Sequence, residues 1–425
     1  MTNTDVELGS KVRLAVKQHG KEEEYEGAYI ESPDKSFILI KIKNGYNIGF
    51  DKKDVLKLDV LEKPKQNEKE EEIAQDKKLP GIALIVTGGT IASKVDYKTG
   101  AVSPNPEISA LLKNVPGLEK IARINAIEVP FLELSGNLGP EHWKKIAKKT
   151  QELLNKPENK GVVILHGTDT LHYTSAALSF MLKDLGKPVV LTYSQRSVDR
   201  GSTDAFLNLK CAFHVALSNM AEVMIVGHAT TDDNYCYAIL GSKVRKMHSS
   251  RRDTFKAINS EPLAKIYENG NIEKISECKK RNENEKTKLE NDFEEKVAII
   301  KAYPGASPEI LEYYIKKGYK GIVIEGTGFG HVAVEGKNSW LPAVKEACKK
   351  MVVCMTTQCI FGRVDSKVYA YGRLLEKAGV LYSNMTSEAC YVKIGCMLAQ
   401  EKDLEKVKHL MQESIAHEFS DRIIE

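Results

Sequence analysis

Apolar and polar positions alternate in three different rhythms along this chain. Up to about residue 62, short β-rich runs follow one another: 11–16 (KVRLAV), 25–32 (YEGAYIES), 36–43 (SFILIKIK) and 46–50 (YNIGF). None has helical periodicity. Asn44–Gly45 lies between two of these runs, and a type I′ turn needs positive φ at both central positions, so the pair predicts a hairpin. A small, strongly bent β-barrel is expected over residues 1–62. Residues 63–80 (KPKQNEKEEEIAQDKKLP) are almost all charged or polar. They cannot bury a core and predict a linker or an exposed helix.

From Gly81 the rhythm becomes α/β. Continuous apolar runs recur at 82–87 (IALIVT), 161–166 (GVVILH), 188–193 (PVVLTY), 222–229 (EVMIVGHA), 296–303 (KVAIIKAY), 321–326 (GIVIEG) and 351–356 (MVVCMT). Strands buried on both faces of a parallel sheet have this pattern. Helical spacing lies between several of them. Residues 170–188 carry apolar positions near a 3.6 period and then Gly186 and Pro188 as stop signals. Residues 307–318 (SPEILEYYIKKG) begin with a serine cap and a first-turn proline and end in glycine. The tail 401–419 also has helical apolar spacing, which predicts a packing helix. The charged stretch 277–296 suits an inter-domain connection. The expected fold is therefore layered α/β in two domains, 81–285 and 286–425, behind the small β domain 1–62 and the linker 63–80.

Composition narrows the function classes. The 425 residues are 42% hydrophobic and 28% charged, an ordinary globular balance with ample core material. A net charge of +4 is close to neutral at this length and gives no sign of a polyanion-coating protein. No window has the roughly 20 mostly apolar residues of a membrane span. The first residues lack the charged-then-apolar pattern of a signal peptide, so a cytoplasmic location is expected. The 8 cysteines are scattered without a CxxC pair, and no zinc-like His spacing completes them. Reduced thiols are expected, with Cys211, Cys236, Cys348, Cys354 and Cys359 in or near the core.

Two strand ends carry candidate chemistry. Residues 82–93 (IALIVTGGTIAS) run from a strand into a glycine turn flanked by Thr87 and Thr90. Residues 161–170 (GVVILHGTDT) repeat the arrangement and add Asp169. Ligands bind at the carboxyl ends of strands in α/β sheets, which favours Thr90 as a nucleophile. Each segment alone reads equally well as a tight turn with a capping threonine. The first turn is not GxGxxG and has no Walker lysine, which disfavours a nucleotide site. Both strands present threonine, and adjacency in a parallel sheet would bring the two ends together.

The segments TGGTIAS (87–93) and HGTDT (166–170) resemble, in order, the two signature segments of the bacterial-type L-asparaginase family. The resemblance spans about residues 80–425. Ser135 in LSGN (134–137) stands where that family has its substrate-binding serine, and Tyr97 stands like its lid tyrosine. Residues 244–255 (VRKMHSSRRDTF) are similar to the family segment with the active-site lysine. That lysine is Lys246, or Lys243 after a small slip in alignment. The extra β domain, Arg245–Lys246–Met247–His248, SSRRD (249–253) and GTGFGH (326–331) resemble one subgroup, the D subunits of archaeal glutamyl-tRNA(Gln) amidotransferases. Residues 379–389 (GVLYSNMTSEA) share that similarity but suggest no role.

The resemblance implies two asparaginase-like α/β domains and an amide hydrolase that releases ammonia from glutamine or asparagine. Thr90 would attack, Tyr97 would close over it, and Thr168, Asp169 and Lys246 would form a hydrogen-bonded set, although which threonine attacks first stays open. A threonine hydroxyl needs a neighbour to take its proton, and lysine can do so only when neutral. Ser135 would bind the substrate α-carboxylate. Asp169 could also pair with the α-amino group, and backbone N–H groups around Gly89 and Gly167 would serve as oxyanion or carboxylate donors. The resemblance further implies a partner, the amidotransferase E subunit, that amidates Glu-tRNA(Gln) with ATP and Mg²⁺. This chain would need no cofactor or metal and would form a homodimer within a heterotetramer. An autonomous L-asparaginase and a non-catalytic scaffold are the alternatives. The basic residues Arg245, Lys246, His248, Arg251 and Arg252 lack interleaved aromatics and fit a salt-bridged loop better than an RNA contact. His331 fits a loop residue beside a glycine turn.

Overall fold

The computed structural model describes residues 6–18, 20–30, 32, 36–42, 47–63, 75–89, 115, 117–196 and 202–420. The N-terminal part is β-rich, as its short alternating runs predict. Strands β1 (Lys11–Gln18), β2 (Lys21–Ile30), β3 (Phe37–Ile42), β4 (Asn47–Asp51) and β5 (Val55–Glu62) form one antiparallel sheet in the order β4-β3-β2-β1-β5. Register shifts between β1 and β5 bend the sheet. Val12, Leu14, Val16, Ile38, Ile40 and Phe50 form its buried apolar cluster. Strands β3 and β4 pair antiparallel as the hairpin signal requires, while Asn44–Gly45 themselves lie outside the described residues. So does most of the charged linker, residues 64–74.

The next unit is built on an eight-stranded sheet. Its members, among the strands that follow, are β6 (Gly81–Val86), β7 (Arg123–Glu128), β8 (Asn159–Leu165), β10 (Val189–Thr192), β11 (Val223–His228), β12 (Cys236–Leu240), β15 (Ala264–Ile266) and β16 (Ile272–Lys274). The order is β16-β15-β12-β11-β10-β8-β6-β7. Strands β7, β6, β8, β10 and β11 are parallel, and β12, β15 and β16 are antiparallel additions. The antiparallel strands are three to five residues long, too short to register as apolar runs in the sequence. Alternate residues of each parallel strand enter different cores. Ala83, Ile85, Val162 and Ile164 face helices α1 (Pro140–Leu154) and α2 (Leu171–Met181), while Ile82, Leu84, Val163 and Leu165 face α3 (Ala205–Leu217). Both faces are covered, so the inner strands β6, β8, β10 and β11 carry continuous apolar runs, whereas β7 (RINAIE), at the end of the sheet order, does not.

Helix α2 is shorter than its sequence pattern. It stops at Met181, and Leu182–Lys183 become β9, paired antiparallel with β17 (Lys288–Leu289). Asp184 then takes φ 55°. A tertiary strand pairing thus ends the helix before Gly186 and Pro188. The polar segment 277–296 that supplies β17 is docked rather than free. Arg281 donates to the carbonyls of Ala216 and Ser218, and Asn155 and Thr287 exchange two hydrogen bonds.

The last unit is a parallel sheet of β18 (Val297–Lys301), β19 (Gly321–Gly326), β20 (Val352–Thr357) and β21 (Leu381–Tyr382), in sequential order. Helices α4 (Glu309–Lys316), α5 (Leu341–Lys350) and α6 (Ala370–Lys377) accompany it. Helix α7 (Ser387–Gln400) buries eleven of its fourteen residues, because it packs on α2 on one side and on β18–β20 on the other. One apolar cluster therefore runs through both α/β units.

Two expectations fail here. The tail helix, α8, covers only Leu404–Leu410. Beyond it the chain is held irregularly by the buried Glu418 carboxylate, which accepts the N–H groups of Ile415 and Ala416 and pairs with Lys393 at 2.5 Å. Cys359 is exposed, since it lies in the turn after β20 rather than in the strand, whereas Cys211, Cys236, Cys348 and Cys354 are buried. No helix of the described residues is long and apolar enough to cross a membrane.

Candidate functional site

Within the eight-stranded sheet the chain passes from β6 to β7 on one side and then to β8 on the other. Such a reversal opens a crevice at the carboxyl ends of the two diverging strands. The strands that flank it are the ones that end in the two glycine–threonine turns. Thr87 prolongs the β6–β8 ladder, with its N–H and its hydroxyl both bonded to the Leu165 carbonyl at 3.1 and 3.0 Å. Its own carbonyl accepts the Glu133 N–H and so pins the loop that carries Ser135.

Glycine is required where these three segments meet. Gly88 and Gly89 have φ 118° and 85°, which side-chain-bearing residues rarely adopt. A Cβ on Gly89 would stand 2.7 Å from the Gly167 Cα, and one on Gly167 would stand 2.7 Å from the Ser135 hydroxyl oxygen. The turns are therefore in backbone contact. Buried Ser135 accepts the Asp169 N–H on its hydroxyl at 3.1 Å, and its carbonyl accepts the Thr170 hydroxyl at 2.6 Å.

The lysine comes from a separate two-stranded ribbon, β13 (Val244–Lys246) with β14 (Phe255–Ala257). Lys246 Nζ donates to Thr168 Oγ1 at 2.9 Å and to Asp169 Oδ1 at 2.8 Å. Its side chain is 12% exposed, whereas that of Asp169 is 71% exposed. Lys243 points elsewhere, to the Phe419 carbonyl and the Ser420 hydroxyl at 2.7 Å. The structure thus brings together Gly89, Ser135, Gly167, Thr168, Asp169 and Lys246, and separates Lys243 from them. Thr90 and Tyr97 lie outside the described residues.

The other basic residues of this segment form ion pairs: Arg245 with Glu388 at 3.1 Å, Arg251 with Asp253 at 2.6 Å and Arg252 with Asp233 at 2.8 Å. His331 follows two glycines of positive φ and its main chain pairs back to Thr327.

Sequence reasoning missed the support beneath the turn. His166 is fully buried, with Nδ1 2.6 Å from the Gly167 carbonyl and Nε2 2.9 Å from Thr174 Oγ1. Burial lowers its pKa to about 4, which keeps the ring neutral. His172 is lowered to about 3 by burial and by the charges of Arg245 and Lys246. His166 stood inside the HGTDT segment, but Thr174 and His172 looked like ordinary positions of the following helix.

Relatives identify the architecture. Residues 81–279 match the family described as "Asparaginase, N-terminal", 296–411 the "Glutaminase/Asparaginase C-terminal domain" and 7–61 the "GatD N-terminal domain". The chain is 44% identical to the D subunit of the glutamyl-tRNA(Gln) amidotransferase of Pyrococcus horikoshii, over 98% of this chain and 95% of that one. It is 46% identical to the protein of the same name from Pyrococcus furiosus, with the same coverage. The chain belongs to the amidotransferase D-subunit family. Among solved structures, the thermostable L-asparaginase from Thermococcus kodakarensis is matched along 100% of its length with 80% of this chain, at 31% identity and a TM-score of 0.70. Membership of the D-subunit family therefore joins an asparaginase-like α/β fold to an additional small β-rich domain.

Proposed function

We propose that this chain is the glutaminase component of a Glu-tRNA(Gln) amidotransferase, releasing ammonia from glutamine or asparagine. The observation that carries the reading is Lys246 Nζ held between Thr168 Oγ1 and Asp169 Oδ1 at the sheet's reversal point. In this reading the Thr90 hydroxyl attacks the side-chain amide carbon. The C–N bond breaks, ammonia leaves with the proton taken from threonine, and an acyl-threonine forms. Water, deprotonated by the Thr168–Lys246 pair, then attacks the ester; the acyl C–O bond to Thr90 breaks, the acid leaves and the proton taken from water returns to the Thr90 oxygen. Backbone N–H groups around Gly89 and Gly167 steady the oxyanion. Ser135 holds the α-carboxylate, Asp169 the α-amino group, and Tyr97 covers the site.

Ammonia passes to a partner, the amidotransferase E subunit, which uses ATP and Mg²⁺ to amidate Glu-tRNA(Gln). This chain itself uses no cofactor or metal. It works in the cytoplasm as a homodimer within a heterotetramer. Support for a partner comes from the names of the full-length relatives and from the β-rich domain that the matched L-asparaginase does not account for. The test is ammonia release from glutamine and asparagine by the chain alone and with the co-expressed E subunit and Glu-tRNA(Gln). Release that depends on the partner and tRNA is expected. Fast turnover by the chain alone would instead establish an autonomous asparaginase. Lys246→Met should cost about 10²–10⁴-fold in kcat, the usual range for an acid–base group, with Lys243→Met close to wild type. Equal activity in both variants would remove Lys246 from the site, and no ammonia release by the wild type under any of these conditions would leave the scaffold reading.

A further inference from the structure

Glu388 belongs to the first turn of α7, in the C-terminal unit, yet it lies against β13, which carries Lys246, and against α2, which follows the Thr168–Asp169 turn. Its Oε1 lies 3.1 Å from Arg245 Nη2 and 4.0 Å from His172 Nε2. The carboxylate and the His172 side chain are each 8% exposed. Arg245 immediately precedes Lys246 in β13. Successive side chains of a strand leave opposite faces, so Arg245 turns toward α7 while Lys246 turns toward Thr168. His172 stands on α2, four residues beyond Thr168.

Strand β13 needs such an anchor. It has three residues, and among the described residues its sheet holds only β14 besides. A two-stranded ribbon is marginal by itself. The Nζ of Lys246 must nonetheless stay within hydrogen-bond distance of two groups on another element, and a displacement of about 1 Å can cost on the order of 10²-fold in rate. Burial pushes the Glu388 carboxyl up and Arg245 pulls it back, leaving it raised overall. The carboxylate also sits at a helix N-terminus, where negative charge is favoured.

We propose that Glu388 is a positioning residue for amide hydrolysis: by holding Arg245 it fixes the Val244–Lys246 strand so that Lys246 stays between Thr168 and Asp169. The proposal rests on the hydrolytic reading of that set. It makes the C-terminal unit part of the site's support, through a segment to which the sequence suggested no role.

The experiment is a double-mutant cycle on the full-length chain co-purified with the E subunit. Steady-state ammonia release from glutamine, with Glu-tRNA(Gln) present, is measured for wild type, Glu388→Gln, Arg245→Met and the double variant. Each single change is expected to lower kcat about 10–100-fold with KM within about twofold, the signature of a misplaced catalytic group rather than lost substrate binding. The double variant should lose no more than either single one, because two residues acting as a unit are not additive. If a single variant does not fold, the double one, which leaves no charge buried without its partner, decides alone. A folded double variant with wild-type kcat overturns the proposal, as do additive losses in the cycle. An active wild type with unaffected variants removes this inference only. A wild type that releases no ammonia removes the hydrolytic reading and this inference with it.

Discussion

The molecule contains two α/β sheets whose parallel strands end in glycine and threonine, and in the larger one a lysine from another element is held against a strand-end threonine. In the C-terminal sheet, β19 runs into Gly326–Thr327–Gly328 and β20 ends in Thr356–Thr357. There the hydroxyls bond within their own unit: Thr327 to the His331 carbonyl at 3.3 Å, Thr357 to the Gly328 carbonyl at 2.6 Å, and Thr356 to the Ser387 hydroxyl at 2.8 Å. In the larger sheet, Thr168 Oγ1 instead accepts a hydrogen bond from Lys246 Nζ, delivered by the separate β13–β14 ribbon. The strand orders explain the contrast. The order β18-β19-β20-β21 advances in one direction without a reversal, whereas the larger sheet reverses between β6 and β8. Composition at a strand end is therefore not enough. A site also needs a reversal in strand order and a third element to deliver the lysine.

That contrast can be broken most directly at the two threonines. Thr168→Val should lower amide hydrolysis by about 10²–10⁴-fold, and Thr327→Val should leave kcat within about twofold of wild type. Comparable losses at both positions would end the distinction between the sheets. The next effect in size concerns stability. His166 and His172, in and just beyond the reactive strand end, have folded-state values of about 4 and about 3 against the usual 6.5. The unfolded chain therefore takes up protons on these groups between pH 6.5 and 4 while the folded chain does not. Stability is full above pH 6.5 and falls on acidification, by about 4 kcal/mol for the two rings together between pH 7 and 5. Urea unfolding at the two pH values measures it. A His172→Phe variant with undiminished pH dependence would show that this ring is not the source. The smallest effect is steric. Gly167→Ala sets a methyl 2.7 Å from the Ser135 hydroxyl oxygen and should cost roughly 1–3 kcal/mol along with activity. Gly328→Ala meets no atom within 4 Å and bears only its positive φ, roughly 1 kcal/mol and no loss of activity. Thermal melts paired with ammonia assays separate the two.

Much of this arrangement was legible beforehand. The seven apolar runs all became strands, because a strand covered on both faces must be apolar at every position. The pairing of the two glycine turns also followed, once both were taken as ends of parallel neighbours. The end of α2 was not legible, because the pairing of β9 with β17 joins residues 182–183 to 288–289 and overrides the local stop signals. The length of the tail helix was not legible either. Its apolar residues past Leu410 serve a turn organised by the buried Lys393–Glu418 pair, which no helical period encodes.

Local sequence was enough to set the strands, the glycines that let Gly89, Gly167 and Ser135 meet, and the residue types of an amide hydrolase. These depend on local sterics and on burial, which neighbouring residues report. It did not decide between Lys243 and Lys246. Three residues apart, they would share a face in a helix but take opposite faces in a strand. Only the pairing of β13 with β14 settles which geometry applies. Likewise, Glu388 gains its significance only when α7 packs on α2 and brings it against Arg245. Contacts between residues 78 positions apart, such as Lys246 and Thr168, follow from how the layers stack, and no local pattern records that.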